Sequence, residues 1–488
     1  MVEQTQISLF LSAADTAAKM ILETVQQDGF IDCFSHLDAD GVAAAGVISK
    51  ALHRIEARFR VRVMQWVDDK IVDDIIADKP QLVVLTDFGS GYLQLLNERV
   101  PDVKIVIMDH HQISVKVDNA NFVQVNPHEY DIDGATEVSG SGVTYFVAKA
   151  LNPKNVDLAP VALVGALGDM QDKYDQRSFG SLNEFILNDA VQAGLMRVEK
   201  DLTFFGRETR PIHRTLATTT NPFIPGLSGE EDKALVFLAS LNIDIKQGER
   251  FRALSDLCEE EKKRLCTALA DYMLSKGLHV EVSNLIGNNY VIVNEEANTA
   301  LRDAREYSVL LNSTGRMNRP GLGIAICMGD RGAALEESNS ILEDYRKNIN
   351  KYLGWVMEKP ERLKELTNIY VINGEDHINE KIIGTVASIM VAGLPNSSQK
   401  PLIAYAKVDG EDSVKFSSRT TETVLQKGVN LGDVMRVASE KHLGKGGGHS
   451  IAAGAQVSMN QIDEFVITVD ELVGRQLKGE TFASNDNP

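Results

Sequence analysis

Asp109, His110 and His111 are three consecutive residues whose side chains can bind a metal ion or carry a proton. They follow an apolar run from Val103 to Met108, which is typical of a buried strand. Polar side chains at the carboxyl end of a strand mark the ligand-binding edge of an open α/β sheet. The stretch therefore predicts a functional site at that edge.

Three further acidic clusters lie in the same half of the chain, and two of them also leave a predicted strand. The clusters are His36, Asp38 and Asp40 after residues 29–34, Asp87 after residues 82–85, and Asp169 after the apolar residues 160–166, which could be a helix. A single acid at a strand end is common. Four clusters in one half of the chain predict one shared metal site.

Carboxylate and imidazole groups, in the absence of thiolates, are ligands that suit Mn²⁺ or Mg²⁺. A pair of such ions, about 3.5–4 Å apart, is a recurring arrangement for phosphoester hydrolysis. Asp87 is the candidate for a ligand shared by both ions, because it stands alone after its strand. Asp38 and Asp40 alternate along the chain and would point to opposite sides of an extended segment, so each could serve a different ion.

The two adjacent histidines are expected to have different roles. His110 and His111 cannot easily bind one ion through equivalent geometry, so one is expected to bind metal and the other to contact the scissile phosphate. Asp109 could hold a histidine tautomer without binding metal itself. For Asp87 alone, the competing interpretation is a helix cap or turn residue. For His36 alone, it is a loop histidine whose hydrogen bonds are satisfied without a metal.

A second group of candidate residues lies nearer the C-terminus. Residues 444–448 are rich in glycine and lead to His449, and successive backbone N–H groups in such a loop can bind an anion. The competing interpretation is a flexible loop capped by a helix. Further donors that suit phosphate are Ser417, Arg419, Asn312 and Arg316. Isolated arginines are usually solvated or paired, so these positions alone do not define a site.

Strands and helices alternate through the first part of the chain, which predicts a doubly wound, mostly parallel α/β sheet. The predicted helices of this part are 8–28, 42–52, 68–78, 90–98, 143–151 and 180–198. Residues 229–276 are strongly helical and charged, and a second α/β unit is predicted to begin at the strand 289–293. Strands at 402–407 and 414–417 are predicted to form a hairpin.

The predicted organisation is a catalytic domain at 1–215, a helical linker at 216–285, a smaller α/β domain at 286–476 and a disordered polar tail at 477–488. A helical insertion at 333–366 is predicted to be a helix pair that binds a partner or bridges the two domains. Its apolar stripe consists of Leu342, Tyr345, Ile349, Leu353 and Val356. Packing of this stripe on the second domain is the alternative. Trp355 lies off the stripe and is expected to be exposed.

Composition excludes some classes of function. The 488 residues, 43% of them hydrophobic, can form two or more packed cores, and no apolar run is long enough to span a membrane. The start of the chain lacks a basic region before an apolar stretch, so no secretory signal is predicted. Four scattered cysteines indicate a reducing cytoplasm. A net charge of −19 argues against broad, non-specific coating of DNA, so any nucleic-acid track must be narrow.

The four acidic clusters, taken in order and followed by Gly447-Gly448-His449, resemble the motifs of the DHH phosphoesterase superfamily. Residues 36–41 resemble its first motif, Asp87 its second, residues 109–111 its third and Asp169 its fourth. The glycine-rich stretch resembles the associated DHHA1 substrate domain. The resemblance covers residues 30–215 and 286–470. The length and residues 312–316 look most like archaeal RecJ-type nucleases, a group with relatives that associate with the GINS complex of the replicative helicase.

The resemblance implies two Mn²⁺ ions, or Mg²⁺, in a cleft between the two domains, with a metal-activated water. The implied ligands are Asp38, Asp40, Asp87, His110 and Asp169, with His111 contacting phosphate. The residues implied to hold the nucleic acid are Ser417, Arg419, Gly447, Gly448 and His449. Many members carry a metal-binding histidine four residues before Asp38, where this chain has Phe34, and His36 is the candidate ligand in its place.

The function that the resemblance implies is a metal-dependent exonuclease on single-stranded DNA or RNA, in replication or repair. One alternative is a phosphodiesterase for oligoribonucleotides or cyclic dinucleotides. Another is a non-catalytic replication scaffold, like the eukaryotic helicase subunit descended from this family. The intact acids at 38, 40, 87 and 169 weigh against the scaffold, because a scaffold has no need of them.

Overall fold

The computed structural model of the protein describes residues 2–113, 115–219, 222–279, 281–391, 393–394 and 397–480. Contacts between residues divide the chain into two units, residues 1–339 and 340–488. Across the described ranges, we find no helix with both the length and the apolar character that a bilayer crossing requires.

Five described strands of the first unit form a parallel sheet in the order β2-β1-β3-β4-β5. They are β1 (Phe30–His36), β2 (Arg58–Met64), β3 (Leu82–Thr86), β4 (Ile105–Met108) and β5 (Phe122–Val125). The central strands β3 and β4 are buried along their whole length, because a parallel sheet is covered on both faces. The predicted parallel α/β sheet is confirmed.

Helices connect and cover these strands. The helices described in residues 1–332 are α1 (Gln4–Gln26), α2 (Ala39–Arg54), α3 (Asp69–Asp78), α4 (Leu93–Arg99), α5 (Gly140–Leu151), α6 (Ala159–Gly168), α7 (Ser181–Gln192), α8 (Ile212–Ala217), α9 (Glu231–Ser240), α10 (Glu259–Ser275), α11 (Ala304–Arg316) and α12 (Pro320–Met328). The small residues of α2, α5 and α6 let these three helices pack closely on one another.

Two sequence predictions about this unit are wrong. The helix predicted at 180–198 ends at Gln192, and the chain continues as a strand. The further strands of the unit are β6 (Met196–Leu202), β7 (Lys246–Gln247), β8 (Arg250–Phe251) and β9 (Ile286–Ile292). The strand predicted at 289–293 does not start the second α/β unit, because it is part of β9, which pairs antiparallel with β6 in a separate two-stranded sheet of the first unit. Residues 193–198 have a helical sequence pattern, but the long-range pairing of β6 with β9 is more favourable here than an extension of the helix.

The predicted helix pair at 333–366 is also wrong. Residues Ala333–Glu358 form one continuous helix, α13, which contains the boundary between the two units. Leu342, Tyr345 and Val356 of its apolar stripe are buried, and the Tyr345 hydroxyl lies 2.9 Å from Oγ1 of Thr385. Packing therefore explains the stripe. Trp355 is half-buried, not exposed.

The ring of Trp355 has a partner that the sequence could not show. It stacks on His377 with 4.6 Å between ring centroids, and the guanidinium of Arg362 lies 3.8 Å from its centroid.

Six described strands of the second unit form a mixed sheet in the order β10-β11-β12-β13-β15-β14. They are β10 (Leu363–Glu365), β11 (Tyr370–Asn373), β12 (Leu402–Lys407), β13 (Ser413–Arg419), β14 (Lys445–Gly448) and β15 (Ala452–Ser458). The further helices are α14 (Ile383–Val391), α15 (Glu422–Leu425), α16 (Leu431–Lys441) and α17 (Ile462–Leu477). The predicted hairpin of β12 and β13 is confirmed. Of the predicted tail, residues 481–488 lie outside the described residues.

The core of the second unit lies on one face of this sheet, where Phe416 of β13 packs with Met435 of α16 and Phe465 of α17. The helix α14 packs against β12 and β13.

Candidate functional site

The carboxyl ends of three neighbouring strands bring the acidic clusters together. His36 is the last residue of β1, Asp87 follows β3, and Asp109 follows β4. Ser35 lies opposite Thr86, and Thr86 lies opposite Met108, so the three strands end at the same level. This edge is where ligands bind in open α/β sheets.

The first group of possible metal ligands consists of His36, Asp38 and Asp87, whose ligand atoms lie within 4.8 Å of one another. Nδ1 of His36 is 3.0 Å from Oδ2 of Asp38 and 3.5 Å from Oδ2 of Asp87. Asp38 also caps α2, because its Oδ1 accepts a hydrogen bond from the backbone N–H of Gly41 at 3.2 Å. The cap leaves Oδ2 to face the histidine.

The second group consists of Asp40, Asp87, His110 and Asp169. Nε2 of His110 lies 3.2 Å from Oδ1 of Asp87, 3.3 Å from Oδ2 of Asp169 and 3.9 Å from Oδ2 of Asp40. Asp38 and Asp40 are thus in different groups.

Asp87 belongs to both groups and turns a different oxygen to each. Its backbone adopts a positive φ of 60°, which is uncommon outside glycine and better tolerated by aspartate than by most residues. Gly140 leaves the space that Asp87 fills, since a Cβ there would lie 2.5 Å from Oδ1 of Asp87. A strained residue in a tightly packed position indicates that the orientation of this carboxylate is imposed by its surroundings.

The carboxylate of Asp40 is held by the start of α5. Its Oδ1 accepts hydrogen bonds from the hydroxyls of Ser139 and Ser141, and its Oδ2 accepts one from the backbone N–H of Gly140 at 2.6 Å. The sequence Ser-Gly-Ser-Gly at 139–142 by itself predicts only the start of a helix. Serines and glycines before a helix do form anion-binding turns, so a signal is present, but nothing local names Asp40 as the anion.

The imidazole of His110 is oriented by a backbone carbonyl. Its Nδ1 lies 2.7 Å from the carbonyl oxygen of Gly134, which also accepts a hydrogen bond from the side chain of Gln171. The amide of Asn183 donates in turn to Gln171 at 2.7 Å. This contact assigns the proton of neutral His110 to Nδ1 and leaves Nε2 as the ligand atom, which is the usual arrangement of a metal-binding histidine.

The buried carboxylates of the site repel one another. Burial raises the pKa of Asp169 to about 7, with the carboxylates of Asp38 and Asp87 acting in the same direction. Burial, with Asp87 and Asp169, likewise holds the pKa of Asp40 well above its usual range. Burial alone would lower the pKa of His36, but Asp38 and Asp87 outweigh it and raise that pKa to about 10. A bound cation would relieve this repulsion.

The donor set fits divalent cations. Oδ1 of Asp87 and Nδ1 of His36 are buried and have no hydrogen-bond partner of acceptable geometry among the described residues, although charged atoms lie close to both. Buried polar atoms are otherwise almost always paired. Oxygen and imidazole donors suit Mn²⁺ or Mg²⁺.

Asp109 contacts protein donors through both oxygens. Its Oδ1 lies 2.8 Å from Nδ1 of His111 and accepts the backbone N–H groups of His110 and His111, and its Oδ2 accepts that of Ser90 at 2.9 Å. Burial would raise the pKa of Asp109, but the two histidines and these hydrogen bonds outweigh it and bring the pKa below its usual range. Asp109 is therefore a positioning residue for His111.

Phe34 is a residue of the hydrophobic core. Its ring is fully buried in the hydrophobic core beside the sheet, and the guanidinium of Arg62 lies 4.3 Å from the ring centroid. The histidine of this strand is His36.

Asn312 and Arg316 lie in α11 of the first unit, outside the mixed sheet. Nε of Arg316 donates to Oδ1 of Asn312 at 3.3 Å. Burial would raise the pKa of Asp38, but His36, with a smaller contribution from the charge of Arg316, outweighs it and lowers that pKa. The end of α11 packs closely on the first cluster, since a Cβ at Gly315 would lie 1.7 Å from the carbonyl oxygen of Leu37.

Ser417 and Arg419 lie on β13 and point to one face of the mixed sheet, because side chains two residues apart share a face. The glycine-rich stretch is not a loop, which corrects the prediction. Residues 445–448 form β14, and only His449 and the two residues after it make the turn to β15.

Packing explains two of the glycines in β14. A Cβ at Gly446 would lie 2.7 Å from a backbone oxygen of α16, and one at Gly448 would lie 2.7 Å from Cα of Ala453. A Cβ at Gly447 would meet no atom within 4 Å. Gly447 has a φ of +156°, which residues with a side chain rarely adopt, so its backbone conformation explains this glycine.

Comparison with protein families finds three matching domain models along the chain. The DHH family, N-terminal domain, matches residues 31–166, the DHH-CID domain matches residues 204–286, and the DHHA1 domain matches residues 366–475. An uncharacterised protein of Methanocaldococcus jannaschii is 32% identical over 475 residues, which cover 96% of this chain and 99% of that protein.

Two solved structures share the fold. RecJ from Thermus thermophilus in complex with Mn²⁺ aligns with a TM-score of 0.56 and 17% identity over 95% of this chain, although the chain spans only 55% of that RecJ. CDC45 from Entamoeba histolytica aligns with a TM-score of 0.65 and 11% identity over 94% of this chain and 99% of CDC45. At these identities the likeness concerns the fold.

The fold and the site together define an α/β protein of the phosphoesterase type with a cluster of carboxylates and histidines at its sheet edge. The chain belongs to the DHH phosphoesterase family, and its fold is RecJ-like.

Proposed function

We propose that the protein is a metal-dependent phosphodiesterase that degrades single-stranded DNA or RNA as an exonuclease. The observation that supports this most is the position of Asp87, which turns one oxygen to His36 and the other to His110. This geometry suits a carboxylate shared by two cations. One cation would be held by His36, Asp38 and Asp87, and the other by Asp40, Asp87, His110 and Asp169.

Bound Mn²⁺ or Mg²⁺ supplies an activated water and neutralises charge on the phosphate oxygens. The chain contributes fixed ligands: Ser139 and Ser141 hold Asp40, and Gly134 holds His110. We assign His111 to a phosphate oxygen. Its Nδ1 is committed to Asp109, so only Nε2 can reach the substrate, and donation to phosphate requires the doubly protonated ring.

The test is an assay with end-labelled single-stranded DNA and RNA, with Mn²⁺, with Mg²⁺ and with chelator. We expect mononucleotide products with metal and none with chelator. Asp40→Asn should abolish cleavage, and Asp102→Asn, the same substitution at an exposed position, should not. Cleavage that survives in chelator or in Asp40→Asn would contradict the proposal.

The same assay covers the smaller substrates. Dinucleotides and cyclic dinucleotides are added in parallel, and cleavage of these with intact longer strands would favour a small-substrate phosphodiesterase.

A second candidate function is a non-catalytic replication scaffold. The higher TM-score to CDC45 than to RecJ, with 99% of CDC45 covered, favours it. The paired ligand groups argue against it, since a scaffold gains nothing from buried, mutually repelling carboxylates. Absence of cleavage with every substrate and metal, together with binding to a replication protein, would favour the scaffold.

We also propose GINS or the replicative helicase as a partner, as the resemblance implies. The buried stripe of α13 is not an available surface for it. A pull-down with purified GINS tests the proposal, and no retention at micromolar concentrations would contradict it.

A further inference from the structure

The side chain of Arg419 on β13 is held in place by a hydrogen bond to helix α14. Nε of Arg419 donates a hydrogen bond to Oγ of Ser388 in α14 at 2.7 Å, and Nη1 donates to the backbone oxygen of Ser418 at 2.7 Å. Oγ of Ser388 donates in turn to the backbone oxygen of Gly384 at 2.9 Å. These hydrogen bonds fix Nε and Nη1 of Arg419. Because the guanidinium is planar, they also set the direction of Nη2.

Gly384 faces this Nη2 atom. A Cβ at Gly384 would lie 3.0 Å from Nη2 of Arg419 and 3.2 Å from Oγ of Ser417. Any side chain at this position would fill the space in front of the two donors. Gly384 lies in the first turn of α14, and its lack of a side chain leaves this space open.

Ser417 is the second observation that points to a ligand. The residue is only 5% exposed, and its hydroxyl forms no hydrogen bond with any residue that the structure describes. This hydroxyl lies beside a guanidinium and an open glycine position, and both donors suit an oxyanion. A hydroxyl and a guanidinium directed to one small space suit an oxyanion such as a phosphate oxygen.

We propose that Gly384 and Ser388 of α14 complete a phosphate-binding corner with Ser417 and Arg419. Gly384 admits the phosphate oxygen, and Ser388 is a positioning residue that orients the guanidinium. The inference rests on the proposed function, since it takes the phosphate to be that of a single-stranded nucleic acid.

The experiment compares Gly384→Ala, Ser388→Ala and Ser388→Thr in the full chain, with Ile389→Ala as the control. Ile389 lies beside Ser388 on the same helix and is 44% exposed. Binding of a fluorescent single-stranded oligonucleotide is measured in chelator at fixed salt, and KM and kcat are measured with Mn²⁺. The binding arm does not depend on turnover.

We expect Ser388→Ala and Gly384→Ala each to weaken binding and raise KM by about tenfold, with kcat little changed. Ser388→Thr should restore the wild-type value because it keeps the hydroxyl, and Ile389→Ala should have no effect. Gly384→Ala should change Tm little, because its Cβ would press only on the side-chain atoms Nη2 of Arg419 and Oγ of Ser417. A merely structural role for Gly384 would not weaken binding at an unchanged Tm.

The outcomes separate the two proposals. If Arg419→Ala weakens binding but Gly384→Ala and Ser388→Ala do not, the corner is wrong and the exonuclease proposal stands. If the corner variants weaken binding but wild-type protein cleaves no nucleic acid, the corner stands and the exonuclease proposal fails. Wild-type protein that does not bind the oligonucleotide would overturn the corner.

Discussion

Nδ1 of His111 lies 2.8 Å from Oδ1 of Asp109, and the same oxygen accepts the backbone N–H of His111 at 3.1 Å. Asp109 therefore fixes both the ring and the backbone of His111, the residue that follows the candidate metal ligand His110. The other oxygen, Oδ2, accepts the backbone N–H of Ser90. Both oxygens thus face N–H donors, so an NH₂ group in place of either one would bring two hydrogens together.

Asp109→Asn tests this arrangement. The amide must turn its NH₂ toward an N–H donor on one side, so we expect kcat to fall by about 10- to 100-fold, as for other residues that orient a site. The free energy of unfolding should fall by about 1–3 kcal/mol, because a buried donor loses its acceptor. The measurements are steady-state kinetics and a chemical melt. Asp102→Asn is the exposed control, and unchanged kcat in Asp109→Asn would separate Asp109 from the action of His111.

Asp87 is predicted to be the residue on which both cations depend. Asp87→Asn should lower the rate of cleavage by several orders of magnitude, because both the shared charge and the metal spacing are lost. The Mn²⁺-induced rise in Tm, worth about 2.7 kcal/mol at a hundredfold excess over Kd, should shrink sharply. A thermal melt with and without Mn²⁺ checks this.

The choice of asparagine at position 87 matters for the folded state. The φ of +60° suits asparagine, whereas alanine there costs about 1 kcal/mol. Without metal, Asp87→Asn should melt higher than the native protein, because one charge of a repelling cluster is removed. Asp87→Ala should show less gain. Near-native activity or a full Mn²⁺ shift in Asp87→Asn would identify position 87 as a turn residue only.

The parallel sheet and the edge that carries the acids are predictable from sequence. Strands β3 and β4 are short apolar runs that end in an acid, and parallel strands align their carboxyl ends. The contacts that hold Asp40 are not predictable, because Ser139 is 99 residues away along the chain. Local sequence patterns identify candidate site residues, but the fold determines which of these residues are in contact.

In the glycine-rich strand β14, the local sequence pattern predicts the wrong secondary structure. Glycine has low strand propensity, so residues 444–448 predict a loop. Pairing of β14 with β15 overrides this preference, and close packing on α16 explains why Gly446 carries no side chain. Composition could not distinguish a glycine kept for packing from one kept for a ligand.

Gly447 and Gly448 should respond differently to the same substitution. Gly448→Ala places a Cβ 2.7 Å from Cα of Ala453, so we expect lower Tm and disturbed pairing of β14. Gly447→Ala meets no neighbour within 4 Å, so we expect a smaller loss of Tm, which comes from the φ of +156°, together with a higher KM, because the added side chain narrows the approach of a phosphate to the backbone. Arg419→Ala should raise KM in the same way. A loss of kcat with unchanged KM in Gly447→Ala would place this strand in the chemistry instead of in binding.

The buried carboxylate of Glu306, which is not a candidate metal ligand, should make the free energy of unfolding depend on pH. The residue is 1% exposed, and its carboxylate accepts hydrogen bonds from the backbone N–H of Glu208 at 2.7 Å and from the hydroxyl of Thr209. Burial raises its pKa to about 7, and the charges of Asp303 and Glu208 act in the same direction. The folded protein therefore binds this proton more tightly than the unfolded chain, whose glutamates titrate near pH ~4.3.

Between about pH 4.5 and 7 the folded state holds a proton that the unfolded state has released, so this group makes stability fall as pH rises through that range. Glu306→Gln keeps the acceptor for Glu208 and can donate to the Thr209 hydroxyl, and it carries no charge to desolvate. We expect it to raise the free energy of unfolding at about pH 8 by about 1–3 kcal/mol and to change it little at about pH 4.5. Chemical melts at half-unit steps of pH measure this difference, and Glu296→Gln, at an exposed position, should leave the profile unchanged. If Glu306→Gln destabilises the protein equally at every pH, the carboxylate is charged throughout and its hydrogen bonds outweigh the effect of burial.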